Sequence, residues 1–314
     1  MSGPLVLMCP GQGAQKVGMG KDLAERFPAA RAVFEAIDDA LGVALSRVMW
    51  EGPEDELTQT HNTQPAILAH SAAVLAVVGD RLAGAACAAG HSLGEYSAHV
   101  AAGTLSATDA ARLVRRRGEL MYEAGLARPG AMAAVLGLAT ADVDAACNEA
   151  SDATSLAVAA NINAPDQTVI SGDPAAVERA GERCKARGAK RVLPLKVSGA
   201  FHSPLMAPAV DGLHAALQGA AFADPRIPVI ANASALAVTT GADAKRLLVD
   251  QLTAPVRWVE CMHAAAQVAS AAGPAVTFVE IGPGSVLSGL LKRILPGTPT
   301  LTLGTADEVE RFLA

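Results

Sequence analysis

The chain has 314 residues, of which 25 are basic and 31 acidic, giving a formal net charge of −6. That balance argues against nucleic acid or an anionic membrane as the main partner, while leaving room for a local basic patch that docks an acidic protein. Apolar residues make up 51% and aromatic residues only 3%, so the core has to be built from Ala, Val and Leu.

The length accommodates one large domain with an insertion, or two domains. Five cysteines (Cys9, Cys87, Cys147, Cys184, Cys261) are scattered, with no C-x-x-C pair. They read as free thiols in a reducing cytoplasm, not as a metal site. No basic stretch followed by a long apolar segment opens the chain, and no apolar run reads as long enough to span a bilayer. Neither a signal peptide nor a membrane span is therefore expected.

Leu5 to Cys9 reads as a short apolar strand ending in Pro10-Gly11-Gln12-Gly13. A glycine-rich turn at a strand's C-terminal end exposes backbone N–H groups suited to a phosphate or an oxyanion. It is not a Walker loop, because no Gly-Lys-Ser/Thr follows at the right spacing. Asp22 to Leu41 mixes charged and apolar residues at helical spacing. Thr63-Gln64-Pro65 precedes a strongly apolar helix, Ala66 to Val78, with Pro65 suited to its first turn.

Ala85 to Ala89 is of strand length, although alanine has poor β-propensity. It leads into Gly90-His91-Ser92-Leu93-Gly94-Glu95-Tyr96, which has the G-x-S-x-G form. In that form a serine sits on a sharp strand-to-helix turn, and the flanking glycines let the backbone turn tightly. Glu95 to Ala102 reads as the helix that follows, with Gly103 as its stop. A helix starting beside Ser92 aims unpaired N–H groups at any negative charge formed there. The plain alternative is a Gly-Ser turn without chemistry.

Ser106 and Asp109 suggest an N-cap for a helix running to about Ala124. Ala110, Leu113, Val114, Leu120 and Met121 form one stripe of it. Arg117 falls within that stripe, whereas Arg115 and Arg116 point elsewhere. A buried guanidinium needs an anionic partner, either a protein carboxylate or the carboxylate of a substrate.

From Gly130 the pattern becomes strand (Ala131–Leu138), helix (Ala141–Ala150), two strands (Leu156–Ile162 and Gln167–Ser171), helix (Pro174–Arg187) and strand (Arg191–Val197). The order βαββαβ is that of a ferredoxin-like unit, here an insertion, because strand-helix alternation resumes afterwards. His202 lies where the chain leaves it and is a candidate general base, with a surface or capping role as the plain alternative. Ile227 to Asn232 and Thr277 to Ile281 read as strands. Gly282-Pro283-Gly284 and the helix Val286 to Ile294 follow the second, and the last 20 residues are weakly patterned. The alternation implies a mostly parallel sheet with active residues at the strands' C-terminal ends.

Taken together, Pro10-Gly11-Gln12-Gly13, Thr63-Gln64-Pro65-Ala66, Gly90 to Tyr96, Arg117-Gly118, His202, Gln251 and Gly282-Pro283-Gly284 resemble the motifs of malonyl-CoA:acyl carrier protein transacylases, in order from about residue 4 to residue 295. The resemblance implies an α/β fold, with an α/β-hydrolase-like large domain (1–127 and 198–314) and an inserted ferredoxin-like domain (128–197). It implies Ser92 as nucleophile, His202 as base, the N–H groups of Gln12 and Leu93 as oxyanion hole, and Arg117 as the binder of the malonyl carboxylate. Gln251 would orient His202 through its main-chain carbonyl, and Gln64 and Asn232 would lie near the pocket.

In related polyketide acyltransferases, His-Ala-Phe-His goes with malonyl and Tyr-Ala-Ser-His with methylmalonyl. Here Gly199-Ala200-Phe201-His202 departs at its first position and keeps the phenylalanine, so Phe201 favours malonyl. The implied partners are malonyl-CoA and holo acyl carrier protein of fatty acid or polyketide synthesis, in the cytoplasm, with a monomer as the default and no metal or redox cofactor. An ordinary imidazole would place the acid limb of activity near pH 6–7.

The main rival is a serine esterase or thioesterase, which would usually use a carboxylate to orient the histidine. Asp142, Asp144 and Asp173 lie between Ser92 and His202, but all fall in the insertion. A third reading is a carrier-protein docking module without activity.

Overall fold

The computed structural model describes residues 3–314, so Met1 and Ser2 of the expected large domain lie outside the described residues. Strand β1 (Leu5–Cys9) pairs in parallel with β2 (Cys87–Gly90). Four strands then form a separate antiparallel sheet: β3 (Ala131–Leu136), β4 (Ala157–Ala164), β5 (Gln167–Gly172) and β6 (Arg191–Pro194). The chain returns to the first sheet with β7 (Val229–Ile230), β8 (Ala237–Val238), β9 (Thr277–Ile281) and β10 (Thr300–Leu303). That six-stranded sheet has the order β10-β9-β1-β2-β7-β8 and is parallel except at its β7–β8 edge.

A parallel sheet covered on both faces needs strands that are apolar on both sides. β1 meets that demand: Leu5, Leu7 and Cys9 enter one core, and Val6 and Met8 enter the core on the opposite face. The first core lies under the helices Pro28–Leu41, Thr60–Leu82 and Ala107–Ala127, and the second under Trp258–Ser270 and Val286–Ile294. On β9 the second face carries Glu280, whose carboxylate accepts from the N–H groups of Leu287 and Ser288. A buried charge there is stabilised because it caps the start of a helix.

The smaller sheet has the order β4-β5-β3-β6, with helices Thr140–Ala150 and Pro174–Ala186 packed over its own core. This is the βαββαβ arrangement read from the sequence. β6 stops at Pro194 instead of Val197, where pairing with β3 ends.

Several boundaries move for local reasons. The stretch Asp22 to Leu41 is two helices, Lys21–Arg26 and Pro28–Leu41. Phe27 between them is extended (φ −125°), because a residue before proline is pushed out of the helical region and Pro28 starts the next helix. The core helix begins at Thr60, so Pro65 lies inside it and not in its first turn. Asn62 and Thr63 donate to the carbonyls of Glu56 and Leu57, which fastens the early turn.

By length and composition alone this helix could cross a membrane, with mean hydropathy 1.3 over its most apolar window, but 67% of that window is buried inside the fold, as in a core helix. The strand expected over Ile227 to Asn232 narrows to β7. The weakly patterned C-terminus holds β10 and the helix Ala306–Leu313, closed by a reciprocal cap between Thr305 and Glu308.

Candidate active site

β2 ends at Gly90, and the helix Gly94–Ala101 starts four residues later. Only glycine fits either flank. A Cβ on Gly90 would lie 1.9 Å from the Gly94 backbone, and one on Gly94 would lie 2.2 Å from the Cys9 carbonyl oxygen. The turn forces Ser92 to φ 53°, a left-handed conformation that costs a side-chain-bearing residue about 1–3 kcal/mol. Asn232 holds it there. Its Oδ1 accepts from the Ser92 N–H at 2.7 Å, and its Nδ2 donates to the Gly90 carbonyl at 2.8 Å. Asn232 is thus a clamp beneath the turn, not a wall of the pocket, and it sits just past the C-terminal end of β7.

His202 also has positive φ, 56°. The turn around it is fixed by Ser203, whose hydroxyl donates to the Ala200 carbonyl at 2.7 Å and accepts from the Leu205 N–H. The His202 Nδ1 is 3.0 Å from the Gln251 main-chain carbonyl. A carbonyl only accepts, so Nδ1 carries the proton and Nε2 keeps its lone pair. Ser92 Oγ lies 2.7 Å from that Nε2 and donates to it. Among the described residues no carboxylate orients the imidazole. Asp173 instead bonds Arg128 and the Leu156 N–H, and Asp142 and Asp144 sit on the helix Thr140–Ala150.

Arg117 is 1% exposed, within the stripe predicted for it. Its Nη1 donates to Gln64 Oε1 at 2.7 Å, and its Nη2 donates to both Ser92 Oγ and Gln251 Oε1 at 3.0 Å. Every acceptor is neutral; among the described residues no carboxylate is in ion-pair contact with it, and its Nε has no partner. Gln64 is held in turn by donating to the Met121 sulfur. A cavity of about 260 Å³ opens over Ser92 and is lined by Gln12, Gln64, Leu93, Arg117, Phe201 and His202 among others. The N–H groups of Gln12 and Leu93 have no acceptor among the described residues. Lys196, unremarked in the sequence, also lines this cavity, as do Met132 and Asn161 of the smaller sheet.

Glu95 is the group that sequence reasoning passed over. It is 1% exposed, and burial pushes its carboxyl up from 4.5 to about 7. The histidines are pushed the other way. Burial, then the Arg117 charge, lowers His202 from 6.5 to about 3; burial lowers His70 to about 4 and His99 to about 3, and also lowers His91.

These shifts give a pH prediction. Below pH 6.5 the unfolded imidazoles bind protons that the folded ones refuse, so stability falls as pH drops through that window, by up to about 1.4 kcal/mol per pH unit for each group. Glu95 and Glu280, raised by burial, bind more protons folded than unfolded and offset part of this slope. Thermal melts should therefore show Tm dropping between pH 6.5 and pH 5; a flat profile would mean that the buried imidazoles charge without cost.

A serine oxygen on a strained turn, bonded to an imidazole whose tautomer is fixed, is the arrangement of a serine-dependent acyl-transfer or hydrolytic enzyme. The chain belongs to the acyl transferase domain family, whose model matches residues 6–304. The malonyl CoA-acyl carrier protein transacylase of Bacillus subtilis is 44% identical over 306 residues, covering 98% of this chain and 95% of that one. The solved malonyl-CoA:acyl carrier protein transacylase of Xanthomonas oryzae superposes with a TM-score of 0.93 at 41% identity, covering 100% of this chain and 98% of that one. A malonyl-transacylase solved in complex with a type II polyketide synthase acyl-carrier protein has a TM-score of 0.91 at 40% identity, with 98% of each chain covered.

Proposed function

We propose that this chain is a malonyl-CoA:acyl carrier protein S-malonyltransferase that works through a malonyl ester on Ser92. The observation that carries the reading is Arg117, a buried guanidinium bonded to Ser92 and, among the described residues, in ion-pair contact with no carboxylate. A substrate carboxylate completes it.

Ser92 Oγ attacks the thioester carbonyl while His202 Nε2 takes its proton, and the N–H groups of Gln12 and Leu93 receive the developing oxyanion. The coenzyme A thiolate leaves, taking the proton back from His202. The phosphopantetheine thiol of the carrier protein then attacks the ester by the reverse sequence, so ping-pong kinetics are expected. Every reacting group is a side chain or a backbone N–H, and no metal or redox cofactor enters the scheme.

Gln251 orients His202, Gln64 holds Arg117, and Phe201 narrows the space beside the acyl carbon. The catalytic domain comprises 1–127 and 198–314, with 128–197 as the inserted domain. Five buried, unpaired cysteines suit a reducing cytoplasm, and one copy of the chain supplies every group named, as a monomer requires. The acceptor is a carrier protein of fatty acid or polyketide synthesis; the named relatives are acyl carrier protein transacylases, one solved with a type II polyketide synthase carrier.

Intact mass after mixing with malonyl-CoA tests the proposal. A malonyl adduct that moves to holo acyl carrier protein supports transfer. Rapid release of free malonate would mean a hydrolase, and no reaction would mean an inactive docking module.

His202→Ala should lose roughly 10²- to 10⁴-fold in acylation, the usual range for a positioned general base. Because burial holds the imidazole neutral down to about pH 3, the acid limb expected near pH 6–7 from an ordinary histidine should lie well below that range in the free enzyme. A kcat/KM profile that falls between pH 7 and pH 6 and flattens in His202→Ala would show that the imidazole is solvated when it acts.

A further inference from the structure

Glu95 is not among the residues lining the cavity, yet its carboxylate bonds two residues that hold the site. Its Oε2 accepts twice, from the Asn232 backbone N–H at 2.9 Å and from Gln251 Nε2 at 2.7 Å. Its Oε1 is buried with no partner among the described residues. Each donor continues into the site. Asn232 clamps the strained turn that carries Ser92. Gln251 spends its second amide hydrogen on the Ser92 carbonyl at 3.0 Å and presents Oε1 to Arg117 at 3.0 Å.

We propose that Glu95 is a positioning residue for acyl selection: one buried oxygen holds Gln251 and Asn232, and through them fixes Arg117 against the nucleophile turn. The inference rests on the reading of Arg117 as the acceptor of a substrate carboxylate.

The working part is the oxygen and not the charge. A backbone N–H cannot turn round, so the Asn232 N–H requires an acceptor at the Oε2 position whatever residue supplies it. Glutamine can supply one, and in doing so it must keep its oxygen where the Gln251 amide also needs it. Methionine fills similar space and strands two buried donors, which drift to find other acceptors. The Gln251 side chain then no longer holds Arg117 in place. A displacement on the order of 1 Å in such a group costs about 10²-fold.

The test compares acylation of Ser92 by malonyl-CoA and by acetyl-CoA in wild type, Glu95→Met, Glu95→Ala, Glu95→Gln and Arg117→Ala, with Tm measured for each. Glu95→Met is expected to lose malonyl acylation by about 10²-fold and acetyl acylation by clearly less, because only malonyl uses Arg117. Glu95→Gln should recover most of the malonyl rate. Glu95→Ala is run beside the methionine variant so that poor folding of one does not end the test, and it should show the same uneven loss.

Equal losses with both acyl groups, or a glutamine variant as impaired as methionine, would overturn the proposal, since packing or charge would then be what matters. If wild type and Arg117→Ala follow the proposed function while Glu95→Met keeps its malonyl preference, the Glu95 inference alone falls. A wild-type chain that forms no malonyl adduct overturns the acyltransferase reading, and this inference with it.

Discussion

Ser92→Ala is expected to abolish both the malonyl adduct and transfer to the carrier protein, a loss on the order of 10⁶-fold if the serine and histidine act as a unit. The substitution removes one oxygen. Arg117 keeps its bonds to Gln64 and Gln251, and His202 keeps its bond to the Gln251 carbonyl. The Asn232 clamp on the turn is to the backbone of residue 92 and is also untouched. Tm should therefore stay close to wild type while the adduct disappears from the mass spectrum. Malonyl transfer at near wild-type rate by the alanine variant would remove Ser92 from the mechanism.

The parts of this molecule that were legible in its sequence are those whose cause is local. β9 and the helix Val286–Ile294 have the predicted bounds, because a run of β-branched and aromatic residues ends in Gly282-Pro283-Gly284 and a 3.6-residue stripe follows. Arg117 stood out because its helical phase put a charge among Ala110, Leu113, Val114 and Met121, all of them buried. The helix Ala306–Leu313 was equally local: Thr305 and Glu308 have the spacing of a capping box, a signal present in the sequence but not used.

What could not be read is the wiring beneath the site. Glu95 meets Asn232 and Gln251 at sequence separations of 137 and 156 residues, and no periodicity spans such a distance. Asn232 looked like a pocket residue because motif position tells which residues converge, not which atom each one presents. The hydrogen-bond partners had to be seen.

The same distinction decides what Arg117 does. Sequence phase put its guanidinium on the buried face and left two partners open, a protein carboxylate or a substrate's. The structure gives it Gln64, Ser92 and Gln251, all neutral, within a cavity that opens over the nucleophile. On the proposed reading, a malonyl group on Ser92 brings a carboxylate one methylene beyond the ester, within reach of a charge-assisted pair with Arg117. An acetyl group offers no carboxylate, and the guanidinium keeps only its neutral hydrogen-bond partners. Truncating one member of a desolvated pair costs about 2–5 kcal/mol, or roughly 30- to several-thousand-fold. Arg117→Ala should lose malonyl transfer by that factor while acetyl transfer stays level or rises, because the Ser92–His202 bond and its Gln251 support do not pass through the guanidinium. Parallel acylation rates with malonyl-CoA and acetyl-CoA decide the matter. Should both fall together, Arg117 is holding the turn or the coenzyme A, and selection of the acyl carboxylate must come from elsewhere in the cavity.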